Sequence, residues 1–453
     1  MTGWRRSRAI VEAVRNKSLA AEQFAVCIGQ TFLYTHGMYF PRIATASMIS
    51  RRTVRSVFHG ALALAALVAF AAPPPVEAQD GDLGVIEGRA RAEYRIRVTS
   101  PDSATERLAQ TAFGMHGGYE LRSGGDVHFH FDFEPVGERR VELRIRSGDQ
   151  ELLRRTVDGR DSTNALLRAA DYAVQRTLDI PGFFAGTIAF VSTRTGASEI
   201  YVSDLLFQNA RQLTRDRAQA LLPTLSPDGD TVLYTSYYRN DFPDLYKIDL
   251  RNNRRTVFAG FRGTNTGATF SPDGRRVAMV LSGSGNAEIY VGDADGRNLR
   301  RLTHTEALEA DPAWSPDGRR IVFASDAPGR PQIFTMDASG GRPTRVPTDI
   351  SRHCTEPSWN PVDDDKIAFT AAMAGQFVVC VYSFRDRRSE VVTRGAGDAV
   401  HPTWLRDGRH LLFNRRTSTA NYLMVLDTHT GKTTRLSPSG FARAYQADYR
   451  YVE

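Results

Sequence analysis

The chain has 453 residues, with 24% charged and 41% hydrophobic side chains and a formal net charge of +7. That length has room for two or three domains, each with a core of its own. The first 78 residues hold nine Lys/Arg against three Asp/Glu, leaving 49 against 48 beyond them, so the basic excess lies almost wholly in the leader and nucleic-acid binding loses its support.

Residues 1–47 carry no derivable role and read as an N-terminal extension from a start placed too early, with Met48 the true start. From Met48, a basic patch (Arg51, Arg52, Arg55), an apolar core from Ala61 to Ala72 and the small-residue ending Val76-Glu77-Ala78 form a secretory signal peptide over 48–78, with cleavage before Gln79. The apolar run is too short to span a bilayer, and no Cys follows it to take a lipid anchor, so no direct membrane insertion is expected.

Residues 79–183 form a small α+β domain. Val127 to Phe133 and Val141 to Arg146 alternate strictly and predict a hairpin turning near Val136-Gly137. His128, His130 and Asp132 share one face of the first strand, but four apolar side chains take the other, so the triad reads as the solvated face opposite Glu142, Arg144 and Arg146, not as a metal site. Leu166, Ala170, Val174 and Leu178 make one helix stripe, N-capped by Asp161, Ser162 or Thr163, and a second helix is expected over Thr105 to Phe113.

From 184 to 453 the chain repeats. Ser226-Pro227-Asp228-Gly229 returns as Ser271 to Gly274, Ser315 to Gly318, Asn360 to Asp363 and Leu405 to Gly408. Pro, Asp and Gly in that order suit a tight turn, which explains the phrase better than a calcium loop. An apolar strand follows each turn and four short strands fill each period, the pattern of a β-propeller blade. A further copy at Ile188 to Val202 lacks an inner strand, and the tail around Tyr445 to Tyr449 sits where one is due. The expectation is six blades, with the C-terminal strand closing the ring and removing its open edges. Cys354 and Cys380 share one repeat at dissimilar positions; a disulfide is conceivable in an oxidising compartment, and two separate buried thiols is the preferred reading.

Leu222, Gly267, Asp311, Glu356 and His401 are equivalent positions, three residues before Leu225, Phe270, Trp314, Trp359 and Trp404, and are expected near one mouth of the central channel. Asp, Glu and His together suit a metal or acid–base chemistry, but packed sheets lie about 10 Å apart, so a polar rim for binding is favoured. No Gly-x-Ser-x-Gly elbow, P-loop or dinucleotide fingerprint occurs, and no cofactor is expected.

The junction Ala170-Asp171-Tyr172, Gly182-Phe183-Phe184 and Thr187 to Ser192, with the Ala313 to Gly318 form of the repeat and the stretch Ala327 to Gln332, resembles the TolB family, periplasmic propellers of the Tol-Pal system. The resemblance implies a non-enzymatic periplasmic scaffold, monomeric, that binds a Pal-like outer-membrane lipoprotein at one propeller mouth, supports the outer membrane during division, and meets a TolA-like inner-membrane protein through its N-terminal segment. Carried over by position, the partner-facing residues are Thr264, Asn265, Gly267, Glu309, Asp311, His353, Glu356, Asp398 and His401. The small domain reads shorter than the family's, and Gln79 to Arg95 shows no match to the TolA-contacting start. The competing readings are a propeller lyase or hydrolase acting on a polysaccharide through His353, His401 and the rim acids, and a glycan-binding module.

Overall fold

The computed structural model describes residues 93–239, 242–441 and 443–452. The N-terminal extension and signal peptide expected over 1–78 lie outside the described residues.

The small domain begins with β1 (Tyr94–Thr99), α1 (Ser103–Met115), β2 (Tyr119–Leu121), β3 (Phe129–Pro135), β4 (Arg140–Ser147), β5 (Gln150–Asp158) and α2 (Ser162–Leu178). Its sheet has the order β2-β1-β3-β4-β5, with β1 parallel to β2 and β3 and the rest antiparallel. Asp102 caps α1 through the Thr105 N–H (2.7 Å), and Asp161 caps α2 through the Asn164 N–H (2.8 Å), satisfying donors that a helix start leaves free. Phe131, Phe133, Val141, Leu143 and Ile145 are buried under the helices. On the other face His130 lies opposite Arg146 and Asp132 opposite Arg144, as the alternation predicts.

Six four-stranded antiparallel sheets follow, and the last strand, Ala444–Arg450, pairs with Thr187–Ser192 to complete the first blade. In the turn phrase Ser226 donates its hydroxyl to Asp228 (2.5 Å), and the Gly229 N–H donates to the Ser226 carbonyl (2.9 Å). Gly229 takes φ 74°, a conformation that only glycine adopts without strain. The same Ser-to-Asp bond recurs at Ser271 and Ser315.

A second repeated bond, found in four blades, joins the third strand to a hydroxyl just past the fourth. Thr303 accepts from the Ile289 N–H, Thr214 from Ile200 and Thr393 from Val379, each at 2.9 Å, and Ser437 takes the same part for Leu423 at 3.1 Å. All four hydroxyl residues are buried. Cys354 and Cys380 are free, buried thiols in one apolar cluster.

The small domain and propeller share a continuous core that runs from Phe113 and Leu166 through Phe183 and Phe184 to Ile188, Leu412 and Tyr449. The junction is tied by Asp171 of α2, whose carboxylate accepts from the Phe184 N–H (2.7 Å), the Ala185 N–H (3.0 Å) and the Tyr451 hydroxyl (3.0 Å). Burial nonetheless pushes that carboxyl up to about 7. Gly182 passes so close that a Cβ there would lie 2.4 Å from the Asp171 Cα. The short sequence motif at this junction is therefore a joint between domains.

Candidate functional site: the axial channel and its ring of bulges

Each inner strand carries a bulge in which two residues oppose one on the second strand. The first bulge residues are Leu222, Gly267, Asp311, Glu356, His401 and Gln446, with φ between 50° and 62°. Opposite them lie Phe190, Tyr234, Met279, Phe323, Phe369 and Phe413, all fully buried. A left-handed non-glycine residue costs about 1–3 kcal/mol, and burying a large apolar side chain returns about 1.5–3 kcal/mol. Pro follows the bulge residue at 223, 312, 357 and 402, where no ladder hydrogen bond is asked of it.

The ring lines one cavity of about 410 Å³ together with the turn-phrase prolines Pro227, Pro272, Pro316 and Pro361. The five positions aligned from sequence do meet around the axis, with Gln446 as the sixth. The spacing of packed sheets counted against three of these side chains reaching one ion, but two neighbours on adjacent blades do touch. Inner strands converge on the axis, so the 10 Å of packed sheets does not apply there. Glu356 Oε1 lies 3.0 Å from His401 Nε2, and Glu356 Oε2 accepts from the His401 N–H (2.8 Å) and the Thr370 hydroxyl (2.6 Å). Asp311 accepts from the Glu356 N–H, and Gln446 Oε1 accepts from the Leu222 N–H (3.1 Å). The Asp311, Glu356 and Gln446 side chains thus bond the bulge backbone of the next blade, so these ring polar groups stitch blade to blade.

The charges follow from that stitching. Burial raises the Glu356 carboxyl, but the His401 charge and hydrogen bonds outweigh it and hold it at about 2. Burial lowers His401, and Glu356 more than compensates, leaving it raised. Burial and the neighbouring Glu356 charge push Asp311 up to about 6.

Of the remaining residues picked from sequence, Thr264, Asn265 and Glu309 are buried inside the blades. Asp398 is paired with Arg416 at 2.7 Å. His353 lines a separate pocket with Arg330 and Arg352. Sequence reasoning placed all of these on the loops ahead of the inner strands; the structure gathers Gly267, Asp311, Glu356 and His401 around the axis and sets the others outside that ring. It missed Gln446 and the bulges, although Pro at one fixed repeat position inside a strand was an available signal.

One further cluster lies where the small domain meets blade six: His116, Asp407 and His410, all buried, with ligand-type atoms within 4.8 Å of one another. The chemistry does not suit a metal. The Gly118 N–H donates to His116 Nδ1 (3.0 Å), so the neutral ring keeps its proton on Nε2. His410 Nδ1 lies 2.5 Å from Asp407, and Arg409 bonds Asp427 at 3.0–3.1 Å and Glu93 at 2.7 Å. The acids are already matched by His410 and Arg409. Burial lowers His410, but Asp407 and Asp427 outweigh it and bring it up to about 9, whereas burial and the neighbouring cations hold His116 well below the usual range. The cluster is a set of buried ion pairs within blade six, on which the neutral His116 ring packs, and the Arg409–Glu93 pair (2.7 Å) crosses between the domains beside it.

A closed six-bladed ring with a small α+β domain on its turn-phrase end, and polar side chains spent on blade-to-blade bonds, defines a six-bladed β-propeller protein with an appended α+β domain. The PD40 family, described as the TolB beta propeller domain, matches residues 174–444, and the chain belongs to that family. The Tol-Pal system protein TolB of Desulfosudis oleivorans is 36% identical over 173 residues, 37% of this chain and 39% of that protein. The Tol-Pal system protein TolB of Anaeromyxobacter dehalogenans is 33% identical over 171 residues, 38% of this chain and 39% of that protein. The aligned stretches thus span well under half of these relatives. The crystal structure of TolB from Acinetobacter baumannii superposes with a TM-score of 0.71 at 21% identity, over 81% of this chain and 99% of that one. That share exceeds the propeller alone, so the likeness of fold extends into the small domain.

Proposed function

We propose that the chain is a non-enzymatic interaction scaffold of the Tol-Pal cell-envelope system, exported to the periplasm by its signal peptide. In this reading the propeller docks a Pal-like, peptidoglycan-associated lipoprotein and so supports outer-membrane integrity and cell division. Family membership across 174–444 carries the proposal. The placement of the small domain supports it. Its bonds reach Arg409, Lys432 and Tyr449, at the turn-phrase end of blade six and on the closing strand, and leave the opposite end of the ring facing away. The hydrogen bonds that Glu356 and His401 make to each other and to backbone favour a structural part for them over acid–base catalysis. A TolA-like partner would meet the segment ahead of β1, residues 79–92, which lies outside the described residues.

Isothermal titration of the mature protein with the soluble domain of the Pal-like lipoprotein from the same cell tests this. Saturable one-to-one binding is expected. Absence of binding, with depolymerisation of a polysaccharide that Glu356→Gln abolishes, would overturn the proposal in favour of an enzyme.

A further inference from the structure

In every blade the first and third strands start, and the second and fourth end, at the same end of the channel, because neighbouring strands are antiparallel. The loops ahead of the inner strands and those between second and third strands therefore share the end that faces away from the small domain. Their exposed charges are mostly basic, with Glu306 and Asp349 the exposed acids among the described residues. Arg217, Arg239, Arg262, Arg330, Arg352 and Arg394 are exposed, and among the described residues none of the six forms an ion pair with an acid. The acids of the same loops are mostly engaged: Asp216 with Arg255, Asp349 with Arg345 (3.6 Å), and Asp326 with the Leu308 N–H (2.7 Å). At the opposite end the signs alternate, with Asp228, Asp273 and Asp317 of the turns interleaved with Arg251, Arg275 and Arg319. Charge on the propeller is thus segregated, within a total of 34 Lys/Arg against 30 Asp/Glu over 184–453.

The same end carries an aromatic patch. Tyr238, Phe242 and Phe261 are 49%, 55% and 50% exposed. They lie on residues 237–239 and 242–243 and on the loop 260–264, and the buried Asn265 fastens Pro243 to Phe261. Its Nδ2 donates to the Phe261 carbonyl (2.8 Å) and the Pro243 carbonyl (3.3 Å), while its Oδ1 accepts from the Phe261 N–H (3.0 Å). The Arg255 guanidinium stacks over Tyr238 at 4.4 Å. Exposed aromatics held on braced loops and fringed by unpaired arginines have the composition of a binding hot spot.

We infer that this end of the propeller grips an acidic protein surface, anchored on Tyr238, Phe242 and Phe261 and steered by the surrounding unpaired arginines. The inference rests on the docking role proposed above and adds the partner's chemistry and the sector of the ring that holds it. Asn265 is a positioning residue, acting through the loops it joins.

The test uses the full mature protein with three probes: the soluble domain of the Pal-like lipoprotein, a poly-glutamate peptide, and phosphatidylglycerol vesicles. Charge reversal at Arg217, Arg239 and Arg262 to Glu, or Phe242→Ser with Phe261→Ser, should weaken binding of the lipoprotein domain about tenfold or more, mostly through the association rate for the charge variants. Wild-type affinity should fall steeply with added salt. Reversal of Arg251, Arg275 and Arg319 at the other end should change binding less than about twofold. All these exposed variants are expected to fold, and circular dichroism checks it. If the lipoprotein domain binds but ignores both mouth variants and salt, the inference fails while the docking role stands. If the lipoprotein domain does not bind but poly-glutamate does so in an arginine-dependent way, the acidic surface stands and the docking role fails. Vesicle binding that depends on the arginines, with neither protein probe bound, overturns both in favour of a lipid surface, and no binding of any probe overturns both outright.

Discussion

At the residue scale, the ring shows how position in a repeat outweighs residue type. Asp311, Glu356 and His401 look like a reactive set in the sequence, yet each takes a left-handed bulge conformation, and the Asp311 and Glu356 carboxylates bond the backbone of the next blade. Their titration has a defined sign. The folded Asp311 carboxyl is raised to about 6 from an ordinary value near 3.8. The folded state therefore holds the proton more tightly, and this group's contribution, present below the ordinary value, is lost as pH rises through about 6. Asp311→Asn removes that loss. The variant should gain on the order of 2–3 kcal/mol relative to the parent at pH 8 and little at pH 3, below the ordinary value. Urea unfolding at the two pH values checks this, and an equal difference at both would remove the assigned cause. Picking the positions from sequence was possible because they keep one offset from the turn phrase. Their conformation was not, because Leu, Asp, Glu, His and Gln carry no mark of positive φ, and Gly267 alone was too weak a hint.

At the element scale, each blade is built from two local devices and one non-local one. The turn phrase and the apolar second strand are local, so they stand out in the sequence at a fixed period. The buried hydroxyl that ends the outer part of the blade is non-local in effect: Thr303 serves the backbone of Ile289 on the strand before it. Thr303→Val keeps shape and removes the acceptor, leaving a buried N–H unpaired. It should cost about 1–3 kcal/mol, read as a shift in the urea midpoint with an unchanged slope. Thr303→Ser should recover most of it, which packing alone would not explain. In the small domain the alternation of β3 and β4 and the stripe of α2 were legible because each element shows one face to the core. The short β2 was not, since three residues cannot display a period; nor was β5, whose residues are mostly exposed.

At the scale of the whole molecule, closure and domain docking decide what the chain can do. The closing strand Ala444–Arg450 supplies the inner strand of blade one and brings Tyr449 to the Phe183 carbonyl (2.7 Å) and Asp448 to the Leu225 N–H (2.7 Å). Truncation before Ala444 should open the ring and expose both a strand edge and an apolar core, giving aggregation or loss of the cooperative transition on size-exclusion chromatography and thermal melting. A soluble monomer with an unchanged melting curve would show that blade one holds without its inner strand. The amino-acid sequence by itself determined the blade period, the blade count, the closure and the polarity of each element, because these depend on periodicity and turn chemistry that neighbouring residues express. Only the tertiary structure decided which polar side chains are spent on stitching, which arginines remain without an ion pair at the free end, and how His116 packs on His410 while Arg409 pairs across to Glu93 where the domains meet. Those outcomes depend on distances between residues far apart in the chain, set where six inner strands converge on one axis and where a separate domain meets the last blade.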